Sequence, residues 1–125
     1  MTQEDKELLL KDLCGRLPYD CKVAVAEGGI DGLQWDNMTL NSYLLYKIEE
    51  EDGLEYVKPY LRPMYSMTEE EKKEYQYITE RWMYDADYSI ADSIDWLNKN
   101  MFDYRGLIAL GLAIEVSPNN NSYKE

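Results

Sequence analysis

The stretch DLCGRLPYDCKVAVAEGG, residues 12–29, decides the fold class, because the spacing of its apolar residues changes from helical to extended along it. Around the beginning of this stretch, four leucines between residues 8 and 13 share one broad helical face. We therefore predict a first helix from about Gln3 to Cys14. Gly15 suits the left-handed conformation that ends a helix, and Pro18 keeps the helix from resuming.

Short strands are predicted after this helix. Cys21, Val23 and Val25 fall on one face of an alternating segment that Gly28-Gly29 closes, a pattern typical of a β-strand. A second short strand is predicted through Ile30, Leu33 and Trp35.

The next segment has two interpretations. Residues 43–49 are rich in Tyr, Leu and Ile and precede Asp52-Gly53, the strongest turn signal in the chain. A hairpin that continues through residues 54–57 is therefore favoured. A helix over residues 42–51 is the alternative.

Capping residues and apolar spacing predict that the second half of the chain is mainly helical. Two prolines first restrict residues 57–64 to a sheet edge or an extended crossing. Thr68 and Glu71 form a capping box that predicts a helix from about Glu69 to Tyr84. An amphipathic segment predicts another helix from about Ser89 to Asn100. Its apolar residues expected to face inward are Ile90, Ile94, Leu97 and Met101.

The C-terminal part adds a short helix and a strand to the prediction. Asp103 can cap a helix over Tyr104–Leu110 that Gly111 ends. Residues 112–116 then resemble a terminal strand, and residues 117–125 are expected to form a flexible tail.

These elements predict an α+β fold in a single domain spanning residues 1–125. It has an N-terminal helix, a small antiparallel sheet, two to three C-terminal helices and a short terminal strand. Strands so short and closely spaced could curl into an SH3-like barrel.

Charge restricts the function classes. The chain has no histidine and carries 25 Asp or Glu against 13 Lys or Arg, a net charge of −12. It therefore lacks the usual proton carrier at neutral pH, and its field disfavours direct contact with nucleic acid. Cys14 and Cys21 fit neither a redox nor a zinc pattern and are interpreted as mostly buried thiols. We assign no catalytic, cofactor-binding or metal-binding residue and expect a protein that is not an enzyme.

The nearest approach to a metal site is residues 85–89, which begin like a calcium loop. Ile90 stands where the tight turn needs glycine, and Trp96 where a bidentate glutamate belongs. A polar link before the next helix is the favoured interpretation.

The first residues after Met1 lack the basic and apolar regions of a secretory signal, so a cytoplasmic location is expected. No apolar run approaches the roughly 18 residues of a membrane span, so no membrane contact is expected.

Two surface stretches are candidates for binding a partner. Tyrosine and arginine are favoured at the centres of protein interfaces, and the chain has twelve tyrosines. The candidates of this type are Tyr77, Arg81, Tyr84 and Tyr88. The highest local density of negative charge lies at Glu49, Glu50, Glu51 and Asp52. A basic partner would be attracted there, with an affinity that depends on salt.

Three groups of segments carry a resemblance: residues 12–19, residues 57–64 with 66–71, and residues 95–99 with 102–108. Together they resemble small uncharacterised proteins of gut-bacterial genomes and their phages. The resemblance implies an origin in a phage or mobile element and supplies no chemistry.

The favoured hypothesis is a non-enzymatic acidic protein that occupies a basic surface on a bacterial protein, as an inhibitor or, in the sharper version, a DNA mimic. The partner would be a nucleic-acid-handling or defence protein. One alternative is a small metal-dependent or ligand-binding enzyme that uses carboxylates. Another is a structural adapter. The sequence leaves the oligomeric state open.

Overall fold

The chain folds as an N-terminal helix, a four-stranded open sheet and further helices. The computed structural model describes residues 2–29, 32–50, 57–84 and 89–117. The helices are α1 (Gln3–Arg16), α2 (Ser42–Glu50), α3 (Glu69–Tyr84) and α4 (Ile90–Lys99). The strands are β1 (Lys22–Gly29), β2 (Gly32–Thr39), β3 (Val57–Leu61) and β4 (Ile114–Glu115). Single 3₁₀ turns lie at Leu17–Tyr19 and Met64–Ser66.

The sheet has the strand order β2-β1-β3-β4. β1 pairs antiparallel with β2 over eight residue pairs and with β3 on its other side. β3 and β4 pair in parallel through Tyr60 and Ile114. The SH3-like barrel is therefore wrong, since β2 and β4 lie at opposite edges of an open sheet, and the sheet is not wholly antiparallel. β4 is also shorter than predicted.

Pro59 lies in an interior strand, contrary to the prediction of an edge. The Leu40 N–H donates to the Cys21 carbonyl over 2.7 Å, which fixes the alternation of hydrogen bonds along β1. Val23, two residues on, also directs its backbone groups to β2. Val23 and Pro59 therefore form a pair without hydrogen bonds, and the N–H that proline lacks is not needed there.

Residues 42–50 form a helix, so the predicted hairpin is wrong and its alternative is right. Leu44 and Ile48, one turn apart, are both buried in the main core. That core fills the space between α1, α2 and one sheet face, and the helical spacing places both side chains in it. The predicted turn at Asp52-Gly53 lies outside the described residues.

α1 begins as predicted but continues through Gly15 to Arg16. Gly15 is helical, and the residue after this region that adopts the left-handed conformation is Asp20, with a φ of 56°. A Cβ atom at Gly15 would lie 3.0 Å from the Asn98 side-chain nitrogen, so glycine serves close packing of α1 against α4. Cys14 is exposed on the solvent side of α1, contrary to expectation, whereas Cys21 is buried.

The two additional residues of α1 bring Arg16 into a buried ion pair. The Arg16 guanidinium donates to both Asp12 carboxylate oxygens at 2.8 and 3.0 Å, and both side chains are fully buried. Arg16 also donates to the Phe102 carbonyl at 2.6 Å, and Arg105 lies 3.3 Å from Asp12. These bonds join α1 to the segment after α4.

Both C-terminal helices begin with capping boxes. The Thr68 N–H donates to Glu71, and the Glu71 N–H donates back to the Thr68 hydroxyl at 3.1 Å. Ser89 and Asp92 exchange the same pair of bonds at the start of α4. The predicted bounds of α3 are confirmed, and those of α4 differ by one residue at each end.

The inward-facing residues predicted for α4 are confirmed at Leu97 and Met101 and wrong at Ile90 and Ile94. Trp96 and Leu97 are buried, but Ile90 and Ile94 are 62% and 39% exposed. The Trp96 ring stacks on Tyr75 of α3 and on Phe102, with centroids 5.4 and 5.6 Å away. This aromatic stack rotates the two isoleucines toward solvent.

The predicted helix over Tyr104–Leu110 is wrong, because the segment consists of turns. Gly106 has a φ of 78°, which interrupts a helix. Asp103, predicted to cap that helix, instead holds the turns together: its carboxylate accepts from the N–H groups of Leu107 and Ile108 at 2.8 and 3.0 Å.

Arg62 links β3 to α3. Its guanidinium forms a two-bonded contact with Glu71 at 2.7 and 2.8 Å and lies 4.2 Å from the centre of the Phe102 ring. Hydrogen bonds from Arg62 lower the pKa of Glu71 to about 2.

Replacing Arg16 with Met should destabilise the protein by about 3–5 kcal/mol, because the Asp12 carboxylate loses its main buried partner. Urea unfolding measures the loss. The double variant Asp12→Leu/Arg16→Met is the control and should lose less than the single variant, since no fully buried charge is left unpaired and Arg105, which also loses Asp12, is 21% exposed. Equal losses would contradict a dominant charge effect.

Glu71 should make stability depend on pH. Its folded pKa lies below the ordinary value of 4.5, so its contribution is present above about pH 5 and is lost as the pH falls toward 2. The difference in unfolding free energy between wild type and Glu71→Gln should therefore shrink between pH 7 and pH 3. Glu70→Gln, an exposed neighbour, is the control. A free-energy difference that stays constant with pH would refute a lowered pKa of Glu71 in the folded protein.

Candidate functional site

Two large aromatic side chains project from α2 into solvent. Tyr43 is 61% exposed and Tyr46 is 60% exposed. They are three residues apart on one helix and are therefore neighbours on its surface. Leu44 and Ile48 on the other side of the helix are buried, so the orientation of α2 holds both rings outward. We call Tyr43 and Tyr46 the α2 surface.

Asn41 fixes where α2 begins. Its side-chain oxygen accepts a hydrogen bond from the Leu44 N–H at 3.0 Å, and its carbonyl accepts from Leu45 at 3.3 Å. These are the bonds of an N-cap residue. Leu40 before it is buried and bonded to β1, so the entry into α2 is held by the sheet.

The predicted acidic stretch overlaps the end of α2. Glu49 and Glu50 are the last described residues of this helix. Glu51 and Asp52 lie outside the described residues.

The second predicted surface contains a preformed pair on α3. The Arg81 Nε donates to the Tyr77 hydroxyl at 2.9 Å, and the guanidinium carbon lies 4.9 Å from the centre of the ring. Tyr77 is 52% exposed and Arg81 is exposed. The structure therefore brings these two predicted residues together. Tyr84 is the last residue of α3, and Tyr88 lies outside the described residues.

The shared exposure of Tyr43 and Tyr46 was not predicted, because the favoured hairpin gave the segment the periodicity of a strand. The signal that could have identified them was present. Asn41 is a good N-cap residue, and Leu44 and Ile48 have helical spacing. In that register, the two tyrosines fall on the opposite face.

Among the described residues, no group of three or more Cys, Asp or Glu side chains is placed to hold a metal ion. The predicted polar link at residues 85–88 lies outside them. None of the described helices is both long and apolar enough to cross a bilayer.

No protein-family model, curated protein or solved structure matches this chain.

Asn41→Ala should lower the unfolding free energy by about 1 kcal/mol, because the Leu44 N–H at the start of α2 loses its acceptor. Chemical denaturation measures the change. Asn41→Asp keeps an acceptor at the same place and should retain most of the stability. If both variants lose the same amount, the cap does not hold α2.

Proposed function

We propose that this protein is a non-enzymatic binding protein whose α2 surface occupies a basic site on another protein. The observation that carries the proposal is the outward display of Tyr43 and Tyr46 on a capped helix with a buried opposite face. A tyrosine ring contributes a large apolar area at low entropic cost, and its hydroxyl tolerates water. Two such rings held in fixed positions suit the centre of an interface.

Charge supports a basic partner. The chain carries a net charge of −12, and the acidic stretch of Glu49, Glu50, Glu51 and Asp52 follows the two tyrosines in the sequence. A partner with lysines and arginines around an apolar centre complements tyrosine rings on so acidic a chain.

The Tyr77–Arg81 pair on α3 is a second contact in this proposal. Its internal hydrogen bond orients the arginine before any partner arrives, which reduces the entropy lost on binding.

The partner class is a bacterial nucleic-acid-handling or defence protein, because such proteins present basic grooves for a polyanion. An acidic protein from a phage or mobile element would inhibit it by occupying that groove. DNA mimicry is the sharper version of this proposal, with carboxylates in place of phosphates.

Affinity purification from bacterial lysate tests the proposal. The wild-type bait should recover a basic protein, and recovery should fall as salt rises from 0.1 M to 1 M, where the Debye length shrinks from about 10 to about 3 Å. Tyr46→Ser should reduce recovery about tenfold or more. The double variant Glu49→Lys/Glu50→Lys should also reduce recovery, because it reverses two charges of the acidic stretch.

Tyr65→Ser is the matched control, because Tyr65 is an exposed tyrosine outside the α2 surface, 81% accessible and bonded to Glu115. It should recover the partner as well as wild type does. Recovery that Tyr46→Ser and the double lysine variant leave unchanged would refute the proposed surface.

A further inference from the structure

We propose that the outer edge of β2 binds an extended basic segment of the partner as a fifth strand of the sheet. This inference rests on the proposed function and specifies how the partner is held. β2 lies at one end of the strand order, and its neighbour within the described residues is β1. At about 3.4 Å per residue, its eight residues span about 27 Å, enough for a partner segment of similar length.

The hydrogen bond from Leu40 to Cys21 shows which backbone groups face outward. Residues 40, 38 and 36 direct their N–H and C=O groups to β1, because groups on an antiparallel strand alternate in direction. The N–H and C=O groups that face away from β1 belong to Leu33, Trp35, Asn37 and Thr39. These groups form a regular ladder that an added strand can pair with.

This edge lacks the features that usually block strand addition. Its sequence, GLQWDNMT, contains no proline and no lysine, and Asp36 is its single charge. The pairing with β1 runs without a bulge from Lys22–Thr39 to Gly29–Gly32. A long, regular edge with one charge is a suitable template for another strand.

The exposed side chains continue from this edge to the α2 surface. Asp36, Asn37 and Met38 are exposed, and Met38 is 42% accessible. After buried Leu40, the exposed side chains resume and reach Tyr43 at the start of α2. A partner segment on β2 would therefore end beside the proposed tyrosine contact.

The two faces of the edge select the chemistry of the segment. Asp36 and Met38 share one face, where an added strand would place a basic side chain and an apolar side chain. Asn37 and Thr39 share the other face and suit small polar side chains. The segment is therefore predicted to alternate polar residues with basic or apolar ones.

Charge favours this occupant over a second copy of the chain. Pairing two β2 edges would bring together two molecules of net charge −12 and place both Asp36 carboxylates at one seam. A basic segment reverses the sign of both interactions.

The test uses a blocked peptide of sequence TKTVTKTVT and its acidic counterpart TETVTETVT, with hydrogen exchange of the intact protein followed by NMR. The basic peptide should slow exchange of the outward amides of Leu33, Trp35, Asn37 and Thr39 about tenfold or more, because they become hydrogen-bonded. The inward amides of Asp36 and Met38, already bonded to β1, are the internal control. The acidic peptide should have no effect.

Asn37→Pro should abolish peptide binding, because it removes one outward N–H without removing a bond to β1. Asn37→Ala is its matched control. Both variants lose the 2.7 Å bond between Tyr60 and Asn37, but the alanine variant keeps the edge N–H and should bind. Far-ultraviolet circular dichroism verifies that both variants fold.

Three outcomes would overturn the inference. The outward amides could stay unprotected at saturating basic peptide, or the acidic peptide could protect them equally. They could also be protected without peptide in a protein that sediments as a dimer, which would make a second copy the occupant. If the basic peptide does not protect the β2 edge while Tyr46→Ser still reduces recovery of the partner in affinity purification, the proposed function stands without strand addition. If the edge binds peptide while that variant keeps its partner, the α2 surface is wrong.

Discussion

The buried pair of Asp12 and Arg16 is the constraint on which the rest of the structure depends. Neither side chain reaches solvent, so their charges must satisfy each other and the groups around them. Arg16 uses a further donor on the Phe102 carbonyl, and the Phe102 ring lies between Trp96 and Arg62. A single residue after α4 thus joins α1, β3 and the aromatic stack. Polar bonds at this junction therefore hold the main core and the aromatic stack together.

This junction also determines which surfaces remain available. α1 is held toward the C-terminal segment, and its leucines pack with Leu44 and Ile48 of α2 over one face of the sheet. The opposite side of α2 is therefore exposed, with Tyr43 and Tyr46 on it. β2 precedes α2 directly and lies at an edge of the sheet. The same packing arrangement therefore leaves both the β2 edge and the α2 surface exposed.

The sequence predicted elements whose signals are local and failed where distant contacts decide. The capping box of Thr68 and Glu71 lies within four residues, and α3 has the predicted bounds. Gly15 has the local signal of a helix end, yet Asn98, far along the chain, requires glycine inside the helix. Ile90 and Ile94 follow a helical apolar pattern, but the stack on Trp96 turns another face inward. Of the candidate site, Tyr77 and Arg81 were predicted as contact residues, and their spacing of one turn brings them together on α3. The tyrosines of α2 were not predicted, because a turn signal outweighed the helical period.

The acids of this chain divide into those that the fold uses and those that it does not. Several carboxylates have defined structural partners, which neutralise or anchor them. These are Asp12 with Arg16, Glu71 with Arg62, Asp92 with the start of α4, and Asp103 with the turn after it. Their loss would affect stability. Other carboxylates are exposed, such as Glu7, Glu74 and Asp95, and the surplus of 25 acids over 13 bases gives the molecule a field that opposes its own compactness. These structural pairs do not account for that surplus. The proposed partner of opposite charge would account for it, because the self-repulsion of the free protein would be relieved in the complex.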